Sequence, residues 1–578
     1  MVSQKKKWIT AASVVALAAG GWLTYSLMAK QGQGTLAQIP LNIQNSDKPA
    51  LIMALDDSGS MLWEVLNNTR DGVFRWVTGS GFYGSNKLPY GYADNGNLYH
   101  YVTPPYGRDG AFAIPPLPAY GFARSPDVNP AYFNPREVYP DWKTGKPGAA
   151  ASYMAIDPEA APVDPRPPGA VNKSNLVQNL TALETRTDNN WKFQFFSGMV
   201  IPVDTLVQSG RCGVDNSNSS SNPNDTVTVV PSGFRRVTRA VTVGVNCSAS
   251  IAYYPATFYL KEQLPASYGY KPSAIVAVAD PAGGMPGTLY RYELRKDNFT
   301  DGDTHYLPAI RNFANWFSYY RTRLEALIGS ASYALHETDK LRVGWFRING
   351  RSQATMYDMQ DDREKPALIA DIMLNMRAGS TTPNRSAAAH IGDQFMRTQS
   401  RSDPNPPVLL SCQKNAGMLF TDGYINETSS QRMRSMVQTY YDNSLVPGLE
   451  TNSVPIPKEC PDGKLDCKTS LHMNFYGVTL GTLGEQFGVT YKPDPREPWV
   501  LTPNPYEVKP TFGTRPVNLA PAAVDELWEA VLYTHGEMIN ANSASDITAA
   551  MRRIIANVSR GATPSGTRSL TGARIGKG

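Results

Sequence analysis

Pro49-Ala50-Leu51-Ile52-Met53-Ala54-Leu55-Asp56-Asp57-Ser58-Gly59-Ser60 is the stretch that decides the fold. An apolar run with no polar member ends abruptly in two carboxylates and two hydroxyls. Such a run has no side meant for water, as in a strand buried on both faces of a parallel sheet. The polar residues then mark the strand's carboxyl end, where ligands collect in open α/β sheets. A doubly wound, mostly parallel α/β sheet is therefore expected, with Asp56-x-Ser58-x-Ser60 on its ligand edge.

Downstream, from Ala309 to about Val558, strand and helix signals alternate, as such a sheet requires. Ile310, Phe313, Phe317, Tyr320, Leu324, Leu327, Ala331 and Leu335 recur at three- and four-residue steps, the apolar face of one long helix. Trp316, Tyr319 and Tyr320 on it are expected in the core rather than on a recognition surface. A strand over Leu341–Ile348 and helices over Ala367–Met376 and Arg385–Met396 follow. Ala416–Phe420 reads as a buried strand ending at Thr421-Asp422-Gly423, and Phe475–Leu480 as another. Helices are expected over Val524–Ala541 and Ser545–Val558, with a polar tail over 559–578.

Between these parts the texture changes. Residues 67–308 form a β- and loop-rich insertion, dense in Pro, Gly and Tyr. Its prolines forbid long helices, and its aromatics argue against simple disorder. Thr226–Val230 and Val241–Val245 alternate with period two, a hairpin signal. The Tyr- and Pro-rich part, Leu88 to Tyr139, suits a receptor-binding surface and packing on its own domain equally well. Asp301-Gly302-Asp303 lacks the twelfth-position Glu of a calcium loop and reads as a turn. Residues 38–66 and 309–558 together make up the α/β domain around the insertion.

Residues 1–37 read as an export signal: Lys5, Lys6 and Lys7 precede an apolar run from Trp8 to Ala29. Small residues offer cleavage before Lys30 or before Gln38; an uncleaved anchor is the alternative. Cleavage after Ala37 removes four lysines and lowers the formal charge of the 578-residue chain from +5 to +1. A nearly neutral mature chain gives no reason to expect nucleic acid as a partner. In an exported protein the five cysteines default to disulfides. Cys460 and Cys467 close a short turn-forming loop, and Cys212 with Cys247 is the second candidate pair. Cys412 is left as a buried thiol or an alternative partner.

Three polar clusters sit at expected strand ends or turns: Asp56, Ser58 and Ser60; Thr381-Thr382-Pro383; and Asp422. Two carboxylates and three hydroxyls from three loops make an all-oxygen shell for a hard cation. Mg2+ suits it, with Ca2+ or Mn2+ as alternatives. A shell with few formal charges leaves the ion electrophilic enough to take a carboxylate from a partner as its last ligand. As strand-end neighbours, Asp56 and Asp57 are expected to point to different sides, leaving one for the metal. No enzyme is expected, because the six histidines are scattered and no nucleophile elbow or phosphate-cradling loop appears.

The Asp-x-Ser-x-Ser, Thr-Pro and Thr-Asp-Gly series resembles the metal-ion-dependent adhesion site of von Willebrand factor A domains. That resemblance implies a metal set of Asp56, Ser58, Ser60, Thr382 and Asp422, with Thr381 an alternative to Thr382. Ser125–Pro135, Asn312-Phe313-Ala314-Asn315-Trp316-Phe317-Ser318-Tyr319-Tyr320-Arg321, and Cys412–Ala416 leading to Thr421-Asp422-Gly423-Tyr424 are similar to the PilC/PilY family of type IV pilus tip proteins. The likeness implies an exported protein of the periplasm, outer membrane and cell surface, seated at the pilus tip. Its implied role is adhesion and pilus biogenesis, with minor pilins and a host-cell or surface receptor offering an acidic group as partners. The alternative is a docking module for minor pilins that binds no receptor. Members of the family usually continue into a C-terminal β-propeller. This sequence stops shortly after the expected A-type domain, as in a truncated chain, a split gene product or a short variant with the adhesive half, so the likeness here covers only the part before a propeller.

Overall fold

The computed structural model describes residues 48–560, apart from 68–71, 85–89, 91–94, 105–111, 168–175, 222–228, 280–286, 450, 458 and 461–464. The export segment, most of the tail and the first half of the Thr226–Val230 alternation lie outside the described residues. Among the described residues no helix is long and apolar enough to cross a membrane.

Six strands form the central sheet: β1 (Ala50–Leu55), β2 (Arg342–Arg347), β3 (Tyr357–Asp358), β4 (Asn415–Thr421), β5 (Met473–Leu480) and β6 (Met538–Ala541), in the order β3-β2-β1-β4-β5-β6. All pairings are parallel except that of β2 with β3. The apolar run of β1 is buried at every residue. Its side chains alternate between two cores: Leu51, Met53 and Leu55 face one, and Ala50, Ile52 and Ala54 the other. That double burial explains the lack of polar residues in the run.

Helices cover both faces: α1 (Asp303–Tyr319), α2 (Arg323–His336), α3 (Glu364–Asn375), α4 (Asn384–Phe395), α5 (Met433–Asp442), α6 (Ala522–Tyr533) and α7 (Ala544–Arg560). Residues of α1, α2, α3 and α7 pack with the Leu51 face, and those of α4, α5 and α6 with the Ala50 face. The expected strand over Leu341–Ile348 and the helices at α3 and α4 appear within a few residues of the expected bounds.

Two expectations need correction. The single long helix is two, α1 and α2. Thr322 interrupts it as an N-cap: its hydroxyl accepts from Glu325 N at 3.1 Å, and the Glu325 carboxylate accepts from Thr322 N at 3.1 Å. This reciprocal capping box offers the backbone a better local partner than helix continuation. The expected helix over Val524–Ala541 ends at Tyr533, and Met538–Ala541 is instead the edge strand β6. Here His535 has φ 54°, and a Cβ on Gly536 would stand 1.9 Å from the Phe475 carbonyl oxygen. The chain must turn there, and Gly536 lets it pass against β5.

The region expected as an insertion consists mainly of loops, short 3-10 turns and small antiparallel strand pairs and triplets. Helix α1 begins at Asp303, inside it. Its aromatics join the core on the Leu51 face. Trp142 is an anchor: its indole N–H donates to the Tyr319 carbonyl at 2.9 Å, and a Cβ on Gly329 would lie 2.6 Å from the indole nitrogen. Trp316, Tyr319 and Tyr320 are buried and belong to this core. Disulfides join Cys212 to Cys247 and Cys460 to Cys467, and Cys412 lies outside both bonds.

Candidate functional site

The carboxyl ends of β1 and β4 lie side by side because Leu55 pairs with Phe420 in the ladder. Asp56 N continues the pairing onto the Phe420 carbonyl at 3.1 Å, so the next residues of both strands must meet. Asp56 is fully buried and clamps the junction. One carboxylate oxygen accepts from Ser58 N at 2.7 Å; the other accepts from the Thr421 hydroxyl at 2.8 Å and Asp422 N at 3.4 Å. Burial and the neighbouring Asp422 carboxylate push the Asp56 carboxyl up to about 7, against the lowering effect of these donors.

Ser58, Ser60 and Asp422 then form a chain of oxygens. The two hydroxyls are 3.0 Å apart, and Ser60 Oγ donates to Asp422 Oδ1 at 3.0 Å. Ser58 stands at the N-cap of the short 3-10 turn Gly59–Leu62 without a side-chain cap bond, so its hydroxyl is not used for capping. The loop before α4 is tied in by backbone: Gly59 N donates to the Ser380 carbonyl at 3.1 Å, and Gly379 N to the Asp57 carbonyl at 2.9 Å. Asp57 points elsewhere, accepting from Asn349 N and Nδ2, both at 2.9 Å. Thr382 is buried and Thr381 exposed; both line the same cavity as Ser58, Ser60 and Asp422. Four of the five expected residues are thus bonded into one network, and Thr382 lines the same cavity.

That cavity has a volume of about 550 Å³. Its other wall was not foreseen and comes from Trp63, Val73, Arg75, Leu98, His100 and Tyr101. Arg323, the first residue of α2, is a further addition. Its Nη1 pairs with Asp422 Oδ2 at 2.8 Å with both side chains buried, and Nε and Nη2 donate to the Val65 carbonyl at 3.3 and 2.7 Å. The guanidinium lies 5.0 Å from the Trp63 ring, which stacks on His100 at 4.4 Å. Burial, with Arg323 and Arg75 nearby, pushes the His100 imidazole down to about 4. The capping box Thr322-Arg323-Leu324-Glu325 was the one sequence signal for this wall, since it sets Arg323 at a helix start.

Among the described residues no group of three or more His, Cys, Asp or Glu gathers at one point. A cation here would rest on hydroxyls as much as on carboxylates. Octahedral Mg2+ at about 2.1 Å from its ligands separates neighbouring ligand oxygens by about 3 Å. The Ser58–Ser60 and Ser60–Asp422 spacings match that edge, so the donor set fits the ion in chemistry and spacing. Arg323 engages one oxygen of Asp422 and leaves Oδ1 facing the serines.

Fold and site together define a mixed α/β protein with a cluster of hydroxyls and carboxylates in a pocket at the carboxyl edge of a mostly parallel sheet. No family model matches the chain. It is 21% identical to the type IV pilus biogenesis factor PilY1 of Pseudomonas aeruginosa (strain UCBPP-PA14) in an alignment of 311 positions that covers 45% of the chain. The match covers 26% of that relative.

Proposed function

We propose that this chain is an exported type IV pilus factor, part of the biogenesis and adhesion apparatus at the pilus tip. Its binding module is a von Willebrand factor A-type domain with a metal-ion-dependent adhesion site. The observation that carries this reading is the 3.0 Å contact of Ser60 with both Ser58 and Asp422, residues far apart in sequence. Likeness to a named pilus biogenesis factor supports the setting. Ser58, Ser60 and Thr382 would hold the ion with Asp422 Oδ1. Asp56, with both oxygens engaged by the chain, would act through water. Bound there, the ion supplies a Lewis-acidic position for a carboxylate of a surface or host-cell receptor. Minor pilins are the partners within the pilus.

A second reading has its own observation. The buried Arg323–Asp422 pair already holds α2 to the β4 loop. The edge could therefore serve as a rigid docking module for minor pilins, with no receptor and no ion in the contact. Calorimetric titration with Mg2+ tests the first reading. Asp56→Ala, Asp422→Ala and Ser60→Ala are expected to lower Mg2+ affinity at least tenfold. Ser60→Ala is the cleanest, since Asp422→Ala also strips Arg323 of its partner. Equal uptake by wild type and Ser60→Ala sinks the assigned ligands. In cells, adhesion lost to a chelator while pili still assemble favours the adhesin, and loss of pili favours the docking module.

A further inference from the structure

We propose that the outer strand of a small sheet in the insertion takes up one further strand, an extended apolar segment of a partner protein. This site stands apart from the oxygen cluster and needs no metal. Strands Thr257–Leu260, Thr288–Glu293 and Val276–Ala279 form the sheet, with Thr288–Glu293 in the middle. Val276–Ala279 is therefore an edge. In an antiparallel ladder every second residue turns its N–H and C=O away from its neighbour. Among the described residues no other backbone pairs with this strand on its outer side. Natural sheets usually blunt such an edge with charge, proline or cover. The central sheet does so: β3 has two residues and ends in Asp358, and β6 is mostly buried. Val276-Ala277-Val278-Ala279 carries neither charge nor proline; Val276 is 40% exposed, and Ala277 is exposed too. An edge that is open and apolar is a template for strand addition.

The register says which side chains the added strand must offer. Val276 lies opposite Arg291, Arg291 opposite Tyr259, and Val278 opposite Leu289, so all of these share one face. A cavity of about 620 Å³ lies over that face, lined by Thr257, Tyr259, Val278 and Arg291 together with Val203 and Leu206 from another part of the insertion. A strand laid beside Val276–Ala279 would run about 4.8 Å from it and send alternate side chains to the cavity's side. The charged groups there are already engaged. Arg291 lies 3.8 Å from Glu293, Asp204 pairs with Arg236 at 3.1 Å, and Arg124 donates to backbone carbonyls. Nothing in that set calls for a charged occupant, whereas Val276, Val278 and Val203 call for an apolar one. The segment selected is extended, uncharged and apolar at alternate positions.

The test titrates the full chain with a fluorescein-labelled Thr-Val-Thr-Val-Thr-Val peptide, followed by anisotropy, and maps amide hydrogen exchange in the complex. A second peptide is methylated on every amide nitrogen, which keeps the side chains and removes the main-chain donors. The first is expected to bind at least about tenfold more tightly than the second, because main-chain bonds carry strand addition. Amides of Val276–Ala279 are expected to exchange more slowly in the complex, with those of β1 unchanged. Val276→Lys places a charge on the open edge at an exposed position, and is expected to weaken the first peptide at least about tenfold. No binding of either peptide, or equal affinity for both, overturns the proposal. So does undiminished binding by Val276→Lys, or protection that appears elsewhere and not at Val276–Ala279. Self-association of the chain that Val276→Lys abolishes makes a second copy the occupant and overturns the partner segment.

Discussion

The two walls of the cavity are held in place by different physics. On the sheet side, Asp56 and Asp422 are neighbours because their strands are hydrogen-bonded in register, Leu55 opposite Phe420. A parallel ladder fixes where every residue at its end must lie, so convergence over more than 360 residues of sequence comes from the backbone. The insertion side has only a short antiparallel pair, Phe74–Trp76 with Asn97–Tyr99, which sets Arg75 opposite Leu98. Beyond that pair its wall is positioned by single polar clamps: Glu64 accepts from Val102 N at 2.9 Å and Thr103 N at 2.7 Å, and Asn129 takes Leu66 N at 2.8 Å. Arg124 donates to the carbonyls of Pro115, Ile114 and Val102. Register tolerates the loss of any one side chain. A clamp does not.

Glu64→Ala applies the largest stress to that contrast. Glu64 is buried and also pairs with the buried Arg321 at 2.8 Å, so it joins the wall to the chain between α1 and α2. Removing it takes the carboxylate acceptor from Arg321 Nε and from two backbone N–H groups. A loss of about 3–5 kcal/mol is expected, the cost of breaking a buried pair from one side. Ser60→Ala on the sheet side is expected to cost roughly 1 kcal/mol, one hydrogen bond to a carboxylate. Urea unfolding of the two variants measures the difference; equal losses would mean that register and clamps share the load.

The walls also respond oppositely to pH. For His100 the imidazole sits at about 4 in the fold and near 6.5 in an unfolded chain. Between those values the unfolded state binds the proton and the native state does not. The contribution of His100 is complete above 6.5 and is lost as pH falls through 4, roughly 3 kcal/mol in all. Asp56 works the other way: its carboxyl is pushed up to about 7, so what it contributes is full below 3.8 and lost as pH rises through 7. His100→Phe keeps an aromatic face for Trp63 and removes the titration. Its stability is expected to fall less than that of wild type between pH 7 and pH 4.5, by up to roughly 3 kcal/mol. Parallel pH profiles for the two proteins would place the acid sensitivity elsewhere.

The same division decides what could be read before the fold was seen. Leu51–Leu55 and Ala416–Phe420 announced buried parallel strands, and strands of that kind carry their end residues to a common edge, so Asp56, Ser58, Ser60 and Asp422 were legible together. Strand β6 was not, since Met538–Ala541 follows a helical pattern closely and only His535-Gly536 marks the turn. Arg75 and His100 were not legible either. A lone cation and a lone imidazole have no periodicity, and the three-residue strands that place them, Phe74–Trp76 and Asn97–Tyr99, are too short to announce themselves. Trp63 lay next to the quoted motif, yet nothing in its spacing told that it would stack on His100.

Thr322→Ala is the smallest and most local probe of that difference. Thr322 lies inside a run whose apolar period continues unbroken from Ile310 to Leu335, so the hydrophobic pattern alone favours one helix. The capping box overrides it and sets Arg323 at the first position of α2, in reach of Asp422. Removing the cap hydroxyl is expected to cost about 1 kcal/mol. It should also weaken the hold of Arg323 on Asp422, because the α2 start gains freedom in its first turn. Mg2+ affinity is therefore expected to change by no more than a few-fold, far less than in Ser60→Ala. Loss of Mg2+ uptake as complete as in Ser60→Ala would show that the α2 start, and not strand register, is what gathers the oxygens.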